Sequence, residues 1–145
     1  MTPEFFTDRD LGKALPASLQ AGGWVVHPYH EVFEREDVPD AEWLAVCGRE
    51  GWIALSHDKT ISFARRSPAA LDAILASRTA LIILRGHRTT RDMADSLLAS
   101  RRVIEDFANR HDAPYIAKYY CSDDRYADGR RRPGRIELKY GASPD

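Results

Sequence analysis

Asp8, Asp40 and Asp58 are the residues of this 145-residue chain whose setting suits them to chemistry, because each stands where an apolar stretch begins or ends rather than on the outward face of an element. Asp8 closes Phe5-Phe6-Thr7, Asp58 closes Trp52-Ile53-Ala54-Leu55-Ser56-His57, and Asp40 stands just ahead of Trp43, Leu44 and Cys47. Carboxylates brought together repel one another unless one is protonated or a cation lies between them. A hard divalent ion such as Mg²⁺ or Mn²⁺ prefers carboxylate and water oxygens. Held by such acids, it activates water and stabilises charge building on a phosphate, so phosphodiester hydrolysis needs no side-chain nucleophile. Each aspartate also has a plainer role, since Asp favours helix N-caps and turns. Asp40 would cap the helix that carries Trp43, and Asp8 or Asp10 the one after the first apolar run.

The acids meet only if the elements that carry them run in one direction. Phe5 to Thr7, Trp24 to His27, Trp52 to Leu55 and Ala80 to Leu84 are short, β-prone apolar runs separated by helical stretches. That alternation predicts β-α-β crossovers and a parallel sheet, with Asp8 and Asp58 on the same carboxyl edge, where open α/β sheets bind ligands. Leu11 to Ala21 reads as a loop entering a short helix, with Pro16 at its first position, Leu15 and Leu19 on one face and Gly22-Gly23 at its end. Pro28 to Pro39 is acidic and lacks an apolar stripe, which predicts a loop. A further helix opens at Ser67-Pro68 and carries Leu71, Ile74 and Leu75. The longest runs from a capping box at Thr89 and Asp92 to about His111 through Met93, Leu97, Ile104 and Phe107. Tyr115 to Cys121 and Arg135 to Leu138 predict a terminal hairpin with a long loop.

Length and composition set outer bounds. A chain of 145 residues is expected to form a single domain, 1–145, without staples. No apolar run reaches membrane-spanning length and no cleavable signal opens the chain, so a cytoplasmic setting is expected. Cys47 and Cys121 form no Cys-x-x-Cys pair, which excludes a zinc ribbon or thioredoxin-like motif and predicts buried, inert thiols. His27 and His30 have no partnering Cys and straddle Pro28, so they are discounted as a zinc pair. With no Gly-x-Ser-x-Gly elbow and no basic activator beside either Cys, a nucleophilic hydrolase has little support. The formal net charge is −1, yet acids gather from Glu31 to Glu42 and arginines from Arg130 to Arg135, which pairs an acidic site with a separate basic surface.

The strings Phe5-Phe6-Thr7-Asp8-Arg9-Asp10-Leu11-Gly12, Pro39-Asp40-Ala41-Glu42-Trp43-Leu44 and Gly51-Trp52-Ile53-Ala54-Leu55-Ser56-His57-Asp58-Lys59 together resemble the VapC-related PIN-like domains of bacterial toxin-antitoxin modules. Pro114-Tyr115-Ile116-Ala117-Lys118 and Arg132-Pro133-Gly134-Arg135-Ile136-Glu137-Leu138 resemble the tail of the same group, so the likeness spans nearly the whole chain. The resemblance implies a three-layer α/β/α domain with a mainly parallel central sheet and a C-terminal hairpin. It also implies an Mg²⁺- or Mn²⁺-dependent endoribonuclease, an RNA substrate and a cognate antitoxin that blocks the site; a homodimer is left open. By matched position Asp8, Asp40 and Asp58 carry over as catalytic, metal-site acids. The fourth acid is Glu31 or Glu42, of which Glu42 is the weaker, since two positions along a helix point it away from Asp40. Where the group often has Thr and a basic residue ahead of the third acid, this chain has Ser56-His57, which keeps the hydroxyl; His57 itself is read as a surface residue.

Cations near these acids are Arg9 and Lys59. Arg65, Arg66, Arg88, Arg91, Arg101, Arg102 and the cluster containing Arg132 are candidates for phosphate contacts. The alternative to a nuclease is a degenerate partner-binding module of the same fold, or a receiver-like domain in which one Asp accepts phosphate. Arg85-Gly86-His87 after the Ala80 to Leu84 strand lacks the Lys that a receiver would need there.

Overall fold

A computed structural model of the chain describes residues 2–57, 72, 74–86 and 88–141. In chain order these form β1 (Glu4–Thr7), a 3-10 turn (Arg9–Leu11), α1 (Ala14–Ala21), β2 (Val25–Pro28), α2 (Tyr29–Val32), α3 (Asp40–Glu50), β3 (Ile53–His57), β4 (Ala80–Leu84), α4 (Thr90–Ala99), α5 (Arg101–Arg110), β5 (Tyr115–Tyr120) and β6 (Arg135–Gly141). The six strands make one sheet in the order β2-β1-β3-β4-β5-β6. The first five are mutually parallel and β6 returns antiparallel to β5, so the α/β architecture and terminal hairpin are as the pattern predicts.

Strand alternation divides the core in two. Phe5, Leu55, Ile82, Leu84, Ala117 and Tyr119 face α1, α4 and α5, against Leu15, Leu19, Leu97, Ile104 and Phe107. Phe6, Ala54, Leu81, Ile83 and Ile116 face α2 and α3, against Tyr29, Trp43, Leu44 and Cys47. Apolar side chains on both faces explain why β4, Ala-Leu-Ile-Ile-Leu, is buried at every position. Each fully buried Leu or Ile here stabilises the fold by roughly 1.5–3 kcal/mol.

Several expected details change. The single helix from Thr89 to His111 is two helices, because Ser100 leaves the helical ladder. Its hydroxyl donates to the Ser96 carbonyl at 2.8 Å, bonds Tyr119 Oη at 2.7 Å and accepts the Gly134 N–H at 2.8 Å. Periodicity runs straight through that break, so nothing in the spacing marks it. Thr89 does cap α4, its hydroxyl accepting the Asp92 N–H at 3.1 Å. The Asp92 carboxylate pairs with Arg88 and Arg131 instead of reaching back to Thr89. Pro39, not Asp40, is the α3 N-cap residue, and Asp40 is the first helical residue. Helix α1 begins at Ala14, which places Pro16 within its first turn, where a missing N–H costs little. The expected loop from Pro28 contains the short helix α2. Beyond it, the Tyr29 hydroxyl donates to the Arg35 carbonyl at 2.7 Å and accepts the Val38 N–H at 3.1 Å, tying the acidic stretch down. The helix expected from Ser67 lies outside the described residues apart from its end, where 74–76 are helical.

Gly48 shows how close α3 packs. A methyl group there would fall on the Ser77 carbonyl oxygen. An alanine at an open helical position gains about 1 kcal/mol over glycine, whereas overpacking costs about 1–3 kcal/mol. Gly48→Ala is therefore expected to lower the thermal midpoint by several degrees; a raised midpoint would show that the α3 to Ser77 approach is not tight.

Candidate functional site

Parallel register sets the site. Thr7 pairs with Leu55, and one step further along the sheet Ser56, Ile83 and Lys118 lie at one level. Asp8 joins that level: its N–H donates to the Leu55 carbonyl at 3.0 Å, carrying the ladder one residue past β1. The residue is only 4% exposed. Oδ2 accepts the Ser56 hydroxyl at 2.9 Å and Oδ1 accepts the Arg9 N–H at 2.7 Å, so Asp8 does cap the 3-10 turn. The plain role and the candidate role fall on the same residue.

Burial pushes the Asp8 carboxyl up to about 6, against the lowering effect of the Ser56 and Arg9 hydrogen bonds and with the neighbouring charges of Asp10 and Asp40 adding to the rise. Asp40 is linked to Asp8 through packing. Its Oδ1 accepts the Trp43 indole N–H at 2.9 Å. The Trp43 ring stacks on Phe6, two residues before Asp8, at 5.4 Å between centroids. Acids from β1 and α3 thus share one corner of the carboxyl edge.

The remaining expected site residues are dispersed. Glu31 is exposed on α2, and exposed Glu42 pairs with Arg35 at 2.7 Å. Arg9 donates through its guanidinium to the Glu36 carbonyl. Arg132 is exposed in the β5–β6 connection, its guanidinium 4.6 Å from the Tyr126 ring centroid. Asp58, Lys59, Arg65 and Arg66 lie outside the described residues. His57, read from the sequence as a surface residue, is half-buried with Nε2 at 3.1 Å from the Gly86 carbonyl oxygen, to which it can donate. His27 stacks on Trp52 at 4.0 Å and pairs with Glu4 at 2.9 Å. Cys47 is fully buried, its thiol pushed well up by burial and by the Asp8 charge, while Cys121 is only half-buried.

Among the described residues no three His, Cys, Asp or Glu side chains lie close enough to hold a metal ion. The partial set still fits a hard cation. Asp8 is a desolvated carboxylate whose described neighbours Asp10 and Asp40 add negative charge, and all its donors are oxygens. A further acid is needed to complete it.

Sequence reading missed Lys118. It is 6% exposed, on the α2/α3 face of β5, level with Ser56. The available signal was a lysine inside the apolar run Tyr115-Ile116-Ala117, whose two flanks are otherwise core.

The Asp8 shift has a stability consequence. Its folded-state pKa of about 6 lies above the ordinary 3.8, so between those values the folded state binds more protons than the unfolded state. Without divalent ions, stability therefore falls as pH rises from about 4 to about 6 by an amount on the order of 2–3 kcal/mol, and is flat above. Asp8→Asn is expected to remove that slope and to melt higher than the parent at pH 7 in EDTA. An unchanged slope would show that Asp8 is not the group responsible.

No curated protein and no solved structure matches the chain. A family model described as a PIN like domain matches residues 3–86. The matched stretch runs from β1 through β4 and includes Asp8, Asp40 and Ser56. A superfamily that includes nucleases accounts for both the parallel sheet and the acids on its carboxyl edge, and with more than half of its length matched this chain belongs to the PIN-like domain family.

Proposed function

We propose that the chain is an Mg²⁺- or Mn²⁺-dependent endoribonuclease, with Asp8, Asp40 and Asp58 holding the ion. The observation that carries this reading is the buried Asp8 carboxylate, raised to about 6 with Asp10 and Asp40 beside it. A bound Mg²⁺ or Mn²⁺ would supply activation of water and neutralisation of charge on the scissile phosphate.

The chain's own residues do the rest. The Ser56 hydroxyl and the Arg9 N–H fix both oxygens of Asp8, so the carboxylate needs no reorganisation to meet a cation. Trp43 fixes one oxygen of Asp40. Burial of Cys47, with its thiol pushed up, keeps that group from acting as a competing nucleophile.

In this reading the biological role is the toxin of a type II toxin-antitoxin pair, and the partner is an antitoxin protein that covers the acidic corner. A receiver-like phosphoacceptor is the second reading. Two observations favour it: the β2-β1-β3-β4-β5 order is shared with flavodoxin-like sheets, and the buried Lys118 stands on β5.

Purified protein is expected to cleave RNA with Mn²⁺ and not with EDTA. Asp8→Asn and Asp40→Asn are each expected to reduce cleavage at least a hundredfold and to abolish Mn²⁺ heats in calorimetry, with circular dichroism unchanged. Expression in a bacterial host should arrest growth only with Asp8 intact. Full cleavage by the Asp8→Asn/Asp40→Asn double variant would overturn the assignment, and aspartyl phosphate formed from a small phosphodonor would replace it with the second reading.

A further inference from the structure

The connection from Cys121 to Gly134 lies outside the family match. It is not an open loop. Arg125 and Arg131 form an antiparallel bridge, flanked by Tyr126 N–H to Arg130 O at 2.8 Å and Arg132 N–H to Asp124 O at 2.9 Å. Gly129, at φ 89°, turns the tip. This small hairpin is fastened from below by two arginines. Arg131, its side chain 7% exposed, donates to the Ser122 carbonyl at 2.9 Å and to Asp92 Oδ1 at 2.7 Å. Arg88 grips the Asp123 carboxylate at 2.6 and 3.1 Å and Asp92 at 2.8 Å. These bonds hold Asp92 down to about 2, so the fastening persists throughout the neutral range.

What the fastening displays is a tyrosine with two guanidiniums near its ring. Tyr126 is 38% exposed. The Arg130 and Arg132 guanidiniums lie 5.2 and 4.6 Å from its ring centroid, and that of Arg135 lies 4.3 Å from the Tyr120 ring. Arg130 also pairs with Asp128 at 2.7 Å. With Arg88 and Arg131 matched against Asp92 and Asp123, and Arg135 paired with Glu137, the arginines at 125, 130 and 132 outnumber Asp124 and Asp128 by one.

Position selects the occupant. Because β1, β3, β4 and β5 are parallel, the hairpin leaves β5 at the edge where Asp8 follows β1. Three strand spacings of about 4.8 Å separate them, roughly 14 Å. Between them a cavity of about 130 Å³ is lined by Asp10, His57, Gly86 and Arg88, the same Arg88 that holds the hairpin. The cavity and hairpin lie on the α1/α4 side and Asp8 on the α2/α3 side, so a chain that engages both crosses the edge beside Asp10 and His57.

We infer that the hairpin is a binding finger for an unpaired RNA strand, with a base stacked at Tyr126 and flanking phosphates on Arg130 and Arg132. Aromatic faces and guanidinium planes take splayed bases, and arginine forks take phosphate oxygens. The rigid mounting lowers the ordering cost of binding. The inference rests on the nuclease reading for the identity of the strand, but binding and cleavage are measured separately.

The test is fluorescence anisotropy with a labelled, unstructured RNA oligonucleotide in EDTA, where no cleavage occurs. Tyr126→Ala and Arg132→Ala are each expected to weaken binding about tenfold, Tyr126→Phe to keep it, and Arg132→Ala to lower the slope of log affinity against log salt by about 0.7. Parent-like binding by folded Tyr126→Ala, equal affinity for a duplex of the same sequence, or no binding by the parent would overturn the finger. If Tyr126→Ala binds fully and the parent still cleaves, the finger falls and the nuclease stands. If binding depends on Tyr126 but the parent does not cleave, the nuclease falls and the finger stands.

Discussion

The Ser56 hydroxyl joined to Asp8 Oδ2 links the ends of β1 and β3 at the point where both strands run out of core. Hydrogen bonds to a charged group contribute about 1.5–3 kcal/mol each, and Asp8 receives two. Desolvation still outweighs them, since the carboxyl rises to about 6. A group so placed is costly to keep ionised in an empty fold and gains a great deal from a cation, which is the sense in which its burial points to function. The rest of the acidic corner is fixed relative to this one contact. Phe6 and Trp43 stack under Asp8, and Trp43 in turn holds Asp40.

The two ends of the sheet edge are built on different physics. At β1, negative charge is taken out of water and held by a strand end and a turn. At β5, arginines are partly buried to brace a hairpin whose outer residues stay exposed. The family match covers the first and stops before the second. Arg88, just before α4, and Asp92, in its first turn, stand between the two halves and join them through Arg131 and Asp123.

Legibility followed the periodicity. β4 was readable residue for residue because five consecutive apolar positions with β-branched members have few other uses, and Asp8 was readable because it ends such a run. Where side chains bonded backbone out of register, the pattern was blind: Ser100 breaks a helix whose apolar spacing never falters, and the Tyr29 hydroxyl orders a stretch that composition reads as loop. Capping followed propensity at Thr89 but not at Asp40, where proline's fixed φ starts the helix and frees the carboxylate for Trp43. Lys118 escaped because a lone lysine in a loosely alternating strand looks solvent-facing until both flanks are seen to be covered. The hairpin escaped because only the fold brings Arg131 to Asp92.

The central claim is that aspartates distant in sequence hold one divalent ion at the carboxyl edge. A crystal soaked in Mn²⁺ and measured for anomalous scattering tests it most directly. The account predicts a single strong peak coordinated by Asp8, Asp40 and Asp58. A peak elsewhere, or a lysine or arginine side chain occupying that position against Asp8, would contradict it.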